Sequence, residues 1–371
     1  MKDSDPLCCC EYFNNKNERS HMLGCCCNCE ELDLCCDRLV TCNRVSCEHL
    51  SKIMGSIHDR FRIPWRGGAK QISFDSILPI LVQPVLMYLA ALNVWFTIII
   101  FFITSIFLWY MLYVFVCKSP RTKFFFMWTI VSVFLLVLVF EVYVVPLLEI
   151  LPEENIAFVI IALLSLFFIY KTWTRSKLNK VNHSDSRDDL YGNRNKATET
   201  VCSVCRKRVP PRTYHCSICQ TCILCKEHHC LWLDCCVGEK NQWHFVLALF
   251  FSFCALFDGA YLTLTSVCHP IFVLEYMLVP DDCSDVYHDF TIALCFISAL
   301  YSLLVAILVL FLLGQHCWLI SLGYTKQDWL ELPTGERRCG GLWASRPYNK
   351  GFIRNWINFW CSRSSTSCIE G

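Results

Sequence analysis

Residues 77–117 read ILPILVQPVLMYLAALNVWFTIIIFFITSIFLWYMLYVFVC, with no charged side chain anywhere in the run. At about 1.5 Å of rise per helical residue, this is roughly twice what one bilayer crossing takes. The run is read as two membrane helices that turn tightly near residues 92–95, with a single long tilted helix as the other reading. Further apolar runs occupy residues 124–145, ending before Pro146, then 156–170, 245–267 and 290–313. Together these runs set the expected fold class: an all-α multi-pass membrane protein with six transmembrane helices.

Orientation follows from the short loops, where Lys and Arg favour the cytosolic side. Arg60, Arg62, Arg66 and Lys70 precede the first run, and Lys118, Arg121 and Lys123 separate the second from the third. Lys171, Arg175, Lys177 and Lys180 follow the fourth, and Arg337 and Arg338 come after the sixth. The other loops are acidic, with Glu149, Glu153 and Glu154 in one and Glu275, Asp281, Asp282 and Asp285 in the other. Six crossings with both termini in the cytosol put every basic loop on one side, whereas five would strand a basic cluster. Cys268 and Cys283 then face the oxidising lumen, as a disulfide or as free thiols.

Composition agrees with this. Of 371 residues, 55% are hydrophobic and 18% charged, a bias expected where much of the chain avoids water. A net charge of +1 supplies no basic field for nucleic acid, so no nucleic-acid partner is expected. The 29 cysteines are the anomaly. A secreted disulfide scaffold would be short and open on a signal peptide, but the first thirty residues show charges and cysteines without an apolar core. The N-terminal region is therefore expected in the cytosol. Its Cys8-Cys9-Cys10, Cys25-Cys26-Cys27-x-Cys29 and Cys35-Cys36, with His21 and His49, allow a metal site, acylation or plain reduced thiols.

Between the fourth and fifth runs lies a polar segment, its first part (176–200) read as a linker. From Cys202 it continues CSVCRKRVPPRTYHCSICQTCILCKEHHCLWLDCC. Three Cys-x2-Cys pairs with nearby histidines point several thiolates at common centres, the arrangement tetrahedral zinc takes. Two closed sites would use Cys202, Cys205, His215, Cys216, Cys219, Cys222, one of His228 and His229, and one of Cys235 and Cys236. Cys225, Cys230 and a histidine are left over. A cysteine beside a histidine and the Glu227 carboxylate, on a metal-stiffened loop at a membrane, is a nucleophile candidate. The plainer alternative is that the leftover group is structural.

These residues resemble the DHHC-type protein S-acyltransferases, or palmitoyltransferases. The likeness runs through Pro211-Arg212-x2-His215-Cys216-x2-Cys219-x2-Cys222-x4-Glu227-His228-His229-Cys230-x-Trp232, then Cys236-Val237-Gly238-x2-Asn241-x3-Phe245. It extends to Cys8-Cys9-Cys10-Glu11-Tyr12, Arg62-Ile63-Pro64-Trp65 and Tyr348-Asn349-Lys350-Gly351-Phe352-x-Arg354-Asn355-Trp356, so nearly the whole chain is covered. The resemblance implies two structural zinc ions, one on Cys202, Cys205, His215 and Cys222, the other on Cys216, Cys219, His229 and Cys236. It implies that Cys230 takes a fatty acyl group from acyl-coenzyme A and passes it to a substrate cysteine, with His228 as base and residue 227 holding that histidine. Membrane-associated proteins with cytosolic cysteines are the implied substrates, and Golgi or endoplasmic reticulum the implied membranes.

This chain departs from the family pattern in four places. Glu227 stands where the family has Asp, and Asp234-Cys235 replaces a polar pair before the last ligand. Thr325-Lys326-Gln327-Asp328 is a degraded Thr-Thr-x-Glu, and the usual Asp-Pro-Gly is missing. These departures keep a second reading open, a weak or inactive relative serving as a zinc-binding membrane scaffold. Asp258 and Glu141 are thin support for a channel or transporter, and Asp258 is assigned no catalytic role. The expected division is 1–75 cysteine-rich and cytosolic, 76–172 spans one to four, 173–244 cytosolic linker and zinc-binding catalytic domain, 245–314 spans five and six, and 315–371 a cytosolic tail.

Overall fold

The computed structural model describes residues 8–14, 18–23, 33–34, 36–38, 59–71, 74–118, 122–181, 200–273, 277–332 and 349–361. Contacts divide the chain into two units, Met1–Val82 and Gln83–Gly371. In the first, β1 (Glu11–Phe13) pairs with β2 (Arg19–His21) and β3 (Arg62–Ile63) with β4 (Lys70–Gln71), both antiparallel. Backbone bonds from Trp65 N to Cys9 O (3.1 Å) and from Ala69 N to Glu11 O (2.8 Å) join the two hairpins. The Arg62 guanidinium lies 3.9 Å over the Tyr12 ring and bonds Asp59 at 2.7 Å. Cys8, Cys9 and Cys36 are exposed, and none of the described N-terminal cysteines joins a metal-binding group. Cys25, Cys26, Cys27, Cys29, Cys35 and His49 lie outside the described residues.

The 77–117 run is not one helix. It forms α1 (Phe74–Ala90) and α2 (Val94–Lys118), broken at residues 91–93. Side chains take over where the helical ladder stops. Thr97 donates to Ala90 O at 2.8 Å and pairs with the Tyr287 hydroxyl at 2.7 Å, while Asn93 accepts from Trp95 N at 3.0 Å. Then come α3 (Phe124–Val139), α4 (Pro152–Arg175), β5 (Thr200–Val201), β6 (Arg208–Val209), β7 (Thr213–Cys216), β8 (Thr221–Leu224), β9 (His228–Cys230) and β10 (Cys235–Val237). The long helix α5 (Gln242–Val267), the hairpin β11 (His269–Val273) and β12 (Met277–Asp282), α6 (Phe290–Leu322), the short α7 (Lys326–Glu331) and α8 (Phe352–Cys361) complete the order.

Among the described residues, five helical stretches are long and apolar enough to cross a membrane: Val94–Tyr113, Phe124–Leu147, Pro152–Asn179, Gln242–Val267 and Phe290–Leu322. The expected sixth, at Asp75–Ala90, is apolar but shorter. At about 1.5 Å per residue, α1 reaches only about 25 Å, short of a core about 30 Å thick. Large apolar side chains such as Trp95, Phe102 and Trp109 are exposed along α2, the surface of a helix solvated by lipid.

The expectation that Pro146 ends a span is corrected. A π turn (Phe140–Val144) follows α3, and helix continues through Val145–Leu147. The wider turn closes with the Val145 N–H bonding Phe140 O, just ahead of the proline that has no N–H to give. The linker expected from residue 176 is also corrected at its start: Ser176–Asn179 is a 3-10 turn, and Asn179 is buried.

Helix α5 packs between α4 and α6. Gly259 permits the first approach, because a Cβ there would meet Phe158 Cε2 at 2.9 Å. Beside this bundle, a cavity of about 80 Å³ lies among α1, α2, α3 and α6. The polar groups along it satisfy one another. Gln83 Nε2 donates to Trp128 O (3.0 Å) and Ser132 Oγ (3.1 Å), Ser132 pairs with Tyr301 Oη (2.8 Å), and Trp128 Nε1 donates to the same hydroxyl (3.2 Å). Cys268 and Cys283 form a disulfide that closes the β11–β12 loop.

Candidate active site

Period-2 alternation in two short strands sorts the site residues into two faces. In β9 paired with β10, His229 stands opposite Cys236, flanked by the pairs His228–Val237 and Cys230–Cys235. Alternate residues of a strand point to opposite sides. His229 and Cys236 therefore share one face, and His228, Cys230 and Cys235 share the other. The choice between Cys235 and Cys236 is thereby made: Cys236 gathers with the other potential ligands, and Cys235 packs with Cys230, Leu233, Val237 and Phe245.

Two groups of donors converge, Cys202, Cys205, His215 and Cys222 in one, and Cys216, Cys219, His229 and Cys236 in the other. In the first, His215 Nδ1 lies 3.3 Å from Cys205 Sγ and 3.9 Å from Cys222 Sγ, and the two sulfurs are 3.7 Å apart. In the second, His229 Nδ1 is 3.4, 3.5 and 3.8 Å from the sulfurs of Cys219, Cys236 and Cys216. Zinc–sulfur bonds of about 2.3 Å in a tetrahedron separate ligand atoms by about 3.8 Å, so both groups fit the ion. The local chain is shaped for thiolates as well. The Cys205 and Cys219 amides each approach the sulfur three residues back, on Cys202 and Cys216, at 3.4 Å. Arg206 and Gln220, which follow those knuckles, adopt φ of 55° and 52°, a conformation costing non-glycine residues on the order of 1–2 kcal/mol. An ion gripping each knuckle offsets that strain. The other nitrogen of His229 faces the Asp234 carboxylate at 3.8 Å, beyond hydrogen-bond length.

On the opposite face, Cys230 is buried at the foot of α5. Burial pushes its thiol up to about 11, while the Leu233 and Trp232 backbone N–H groups and the Lys326 charge pull the other way. His228 stacks its ring 5.3 Å from Phe245 and 5.4 Å from His316, and burial holds its pKa well below the usual histidine range. Its Nδ1 is buried without a hydrogen-bond partner. Glu227 is fully enclosed, and burial lifts its carboxyl to about 7. Its Oε1 accepts from Gln242 Nε2 at 2.5 Å and its Oε2 from Lys326 N at 2.8 Å. The expected Glu227–His228 contact is not among these bonds.

Several residues that the sequence singled out as motif positions, together with Tyr214, hold the site in place. Arg212 makes a 2.5 Å ion pair with Asp328, which also accepts from Tyr214 Oη at 2.9 Å. Thr325 and Asp328 cap α7 reciprocally, so the degraded motif does dock on the cysteine-rich domain. A Thr-x-x-Asp spacing is itself a capping-box signature and was the available signal. Asn241 is fully buried; its Oδ1 accepts from Asn179 Nδ2 (2.8 Å) and Gly238 N (2.9 Å), and its Nδ2 donates to Thr172 O (2.9 Å) and Cys236 O (3.1 Å). Gly238 must be small, since a Cβ would lie 2.7 Å from Leu224 O. Asn355 is structural: it donates to Ser321 O at 3.0 Å and accepts from Lys350 N at 3.0 Å, tying α8 to the end of α6.

Residues 195–332 match the family model described as DHHC palmitoyltransferase. The chain is 32% identical to Palmitoyltransferase ZDHHC23-B of Danio rerio over 95% of its own length and 92% of the relative's. It is 29% identical to Palmitoyltransferase ZDHHC23 of Rattus norvegicus, covering 96% and 93%, and 29% identical to the protein of that name from Homo sapiens, covering 91% and 93%. With the cysteine and histidine clusters, the apolar helices and likeness along nearly the whole length, this chain belongs to the DHHC palmitoyltransferase family and is a protein S-palmitoyltransferase.

Proposed function

We propose that Cys230 is the acyl-carrying nucleophile, loaded from acyl-coenzyme A and unloaded onto a substrate cysteine. The observation that carries this is the two-faced hairpin: Cys230 and His228 point away from the metal-binding face while His229 and Cys236 point into it. His228 accepts the thiol proton, and its buried, uncharged ring with a free Nδ1 suits a base. The thiolate attacks the thioester carbonyl of acyl-coenzyme A, and coenzyme A leaves as thiol. A substrate thiolate then attacks the acyl-enzyme, returning Cys230. Splitting one transfer into two is the usual gain of covalent catalysis. Glu227 acts by fixing the loop between Gln242 and Lys326.

Cys202, Cys205, His215 and Cys222 would hold one structural zinc, and Cys216, Cys219, His229 and Cys236 the other. Zinc in closed four-ligand sites supplies rigidity. The acyl tail would lie among the membrane helices. Phe125 meets Trp232 edge-to-face at 5.0 Å and Phe124 likewise at 5.3 Å, and Phe124 meets Trp128 on the cavity wall at 5.5 Å, an apolar path from beside Cys230.

The wider placement belongs to the same proposal. Six spans with both termini cytosolic place 1–75, 173–244 and 315–371 on the cytosolic side, with 76–172 and 245–314 in the membrane. Golgi or endoplasmic reticulum is the compartment, and substrates are membrane-associated proteins with cytosolic cysteines. The Cys268–Cys283 disulfide supports a lumenal β11–β12 loop, because thiols stay reduced in the cytosol. The scaffold reading loses its main support with the docking of α7.

The test incubates purified protein with labelled palmitoyl-coenzyme A. Hydroxylamine-sensitive label should appear on wild type and be absent from Cys230→Ser, with zinc content unchanged in both. Equal labelling of the two, or none on wild type, would remove the nucleophile.

A further inference from the structure

The β9–β10 hairpin sets a second thiol opposite the nucleophile, and acyl transfer has no use for it. Cys235 is the Cα partner of Cys230 in the antiparallel pairing, so both side chains rise from one face. Both are buried and pack together with Leu233, Val237 and Phe245. Cys235 belongs to neither metal-binding group, and the two thiols are unbonded. Opposed Cα atoms in an antiparallel ladder lie about 4.5–5.5 Å apart, inside the roughly 4.4–6.8 Å that disulfides span. The register therefore sets the pair within the Cα spacing that a disulfide bridges.

We propose that Cys230 and Cys235 are a peroxide-sensitive pair that closes into a reversible disulfide, switching off acyl loading and sheltering Cys230 from irreversible oxidation. The inference rests on Cys230 as the nucleophile. In the first step the Cys230 thiolate attacks one oxygen of a hydroperoxide and the O–O bond breaks. Sulfur is oxidised to the sulfenic acid, and the peroxide is reduced to water or an alcohol. The Cys235 thiolate then attacks that sulfur, the S–S bond forms, and hydroxide leaves and is protonated to water. A dithiol reductant restores both thiols by exchange. His228 rises from the same face of the hairpin, beside Cys230 and away from the metal ligands, so Cys230, the nucleophile of the proposed transfer, is the sulfur oxidised first. An acylated Cys230 offers no thiolate, so only the unloaded enzyme responds.

Full-length protein in nanodiscs is treated with hydrogen peroxide, alkylated and digested with trypsin without reduction. The 227–240 peptide should emerge two hydrogen atoms lighter, with Cys236 alkylated and Cys230 and Cys235 protected, at unchanged zinc content. Loading from labelled palmitoyl-coenzyme A should fall at least about tenfold and return with dithiothreitol. Cys235→Asn and Cys235→Ser should load normally beforehand and, once oxidised by excess peroxide, stay inactive in dithiothreitol. An unlinked peptide, a link involving Cys236 with loss of zinc, or reductant-reversible inactivation of both variants overturns the proposal. Disulfide mapping needs no activity, so its failure is separable from failure of the nucleophile, which shows as missing label on untreated wild type.

Discussion

One methylene at position 227 decides which contacts a buried carboxylate makes. Glu227 reaches the Gln242 side chain with one oxygen and the Lys326 backbone with the other. An aspartate would withdraw the carboxylate by about 1.5 Å, the length of one carbon–carbon bond, and could not hold both. Glu227→Asp is expected to slow acyl loading by up to roughly a hundredfold, as a misplacement near 1 Å in a preorganised site can, with zinc content unchanged. Loading at the wild-type rate or faster would show that the longer side chain does no positioning. The residue types and spacing in the sequence were enough to indicate metal clusters and a spare thiol. They could not separate Cys235 from Cys236, because both have the same chemistry and only strand register distinguishes them. Nor could they show where the Glu227 oxygens go, since Gln242 opens a helix 15 residues on and Lys326 lies 99 residues away.

Elements meet at two polar joints, and each can be broken singly. Arg212 and Asp328 are largely buried, and Asp328 also caps α7 and accepts from Tyr214. Asp328→Ala leaves the guanidinium buried without its partner, a change that costs on the order of 3–5 kcal/mol. Residues 325–331 should then exchange amide hydrogens faster and acyl loading should fall, with both metals retained. Unchanged exchange protection would mean that α7 is held by something else. The second joint is Asn241, where the end of α4, β10 and the start of α5 converge. Asn241→Asp turns a donor into an acceptor facing Thr172 O and Cys236 O, and a buried mismatch of this kind costs on the order of 1–3 kcal/mol. A lower melting temperature with intact zinc stoichiometry is the expected readout. Apolar runs made the long helices legible to a turn or so at most ends, but α6 continues to Leu322, well past the expected 313. The π turn that carries a helix past Pro146 was not legible, because it depends on backbone hydrogen bonding rather than on side-chain pattern.

Across the whole molecule, the open quantity is how many times the chain crosses the bilayer, and α1 decides it. Length argues against α1, since about 25 Å of helix falls short of a core near 30 Å. Charge argues for it, because Arg60, Arg62, Arg66 and Lys70 precede it and the far-side loops carry acids. The mismatch is a few ångströms, and bilayers thin around short helices at fractions of a kcal/mol per ångström. The break at residues 91–93, fastened by Thr97 to Ala90 O and Tyr287, interrupts the helix at the place where paired crossings would turn. The six-crossing proposal takes charge to outweigh length. In sealed microsomes, tags on both termini should be digested by added protease without detergent. An impermeant maleimide should label Cys268 and Cys283 only after the membrane is opened and the disulfide reduced. A protected N-terminal tag beside a digested C-terminal one would mean five crossings, with α1 lying along the surface.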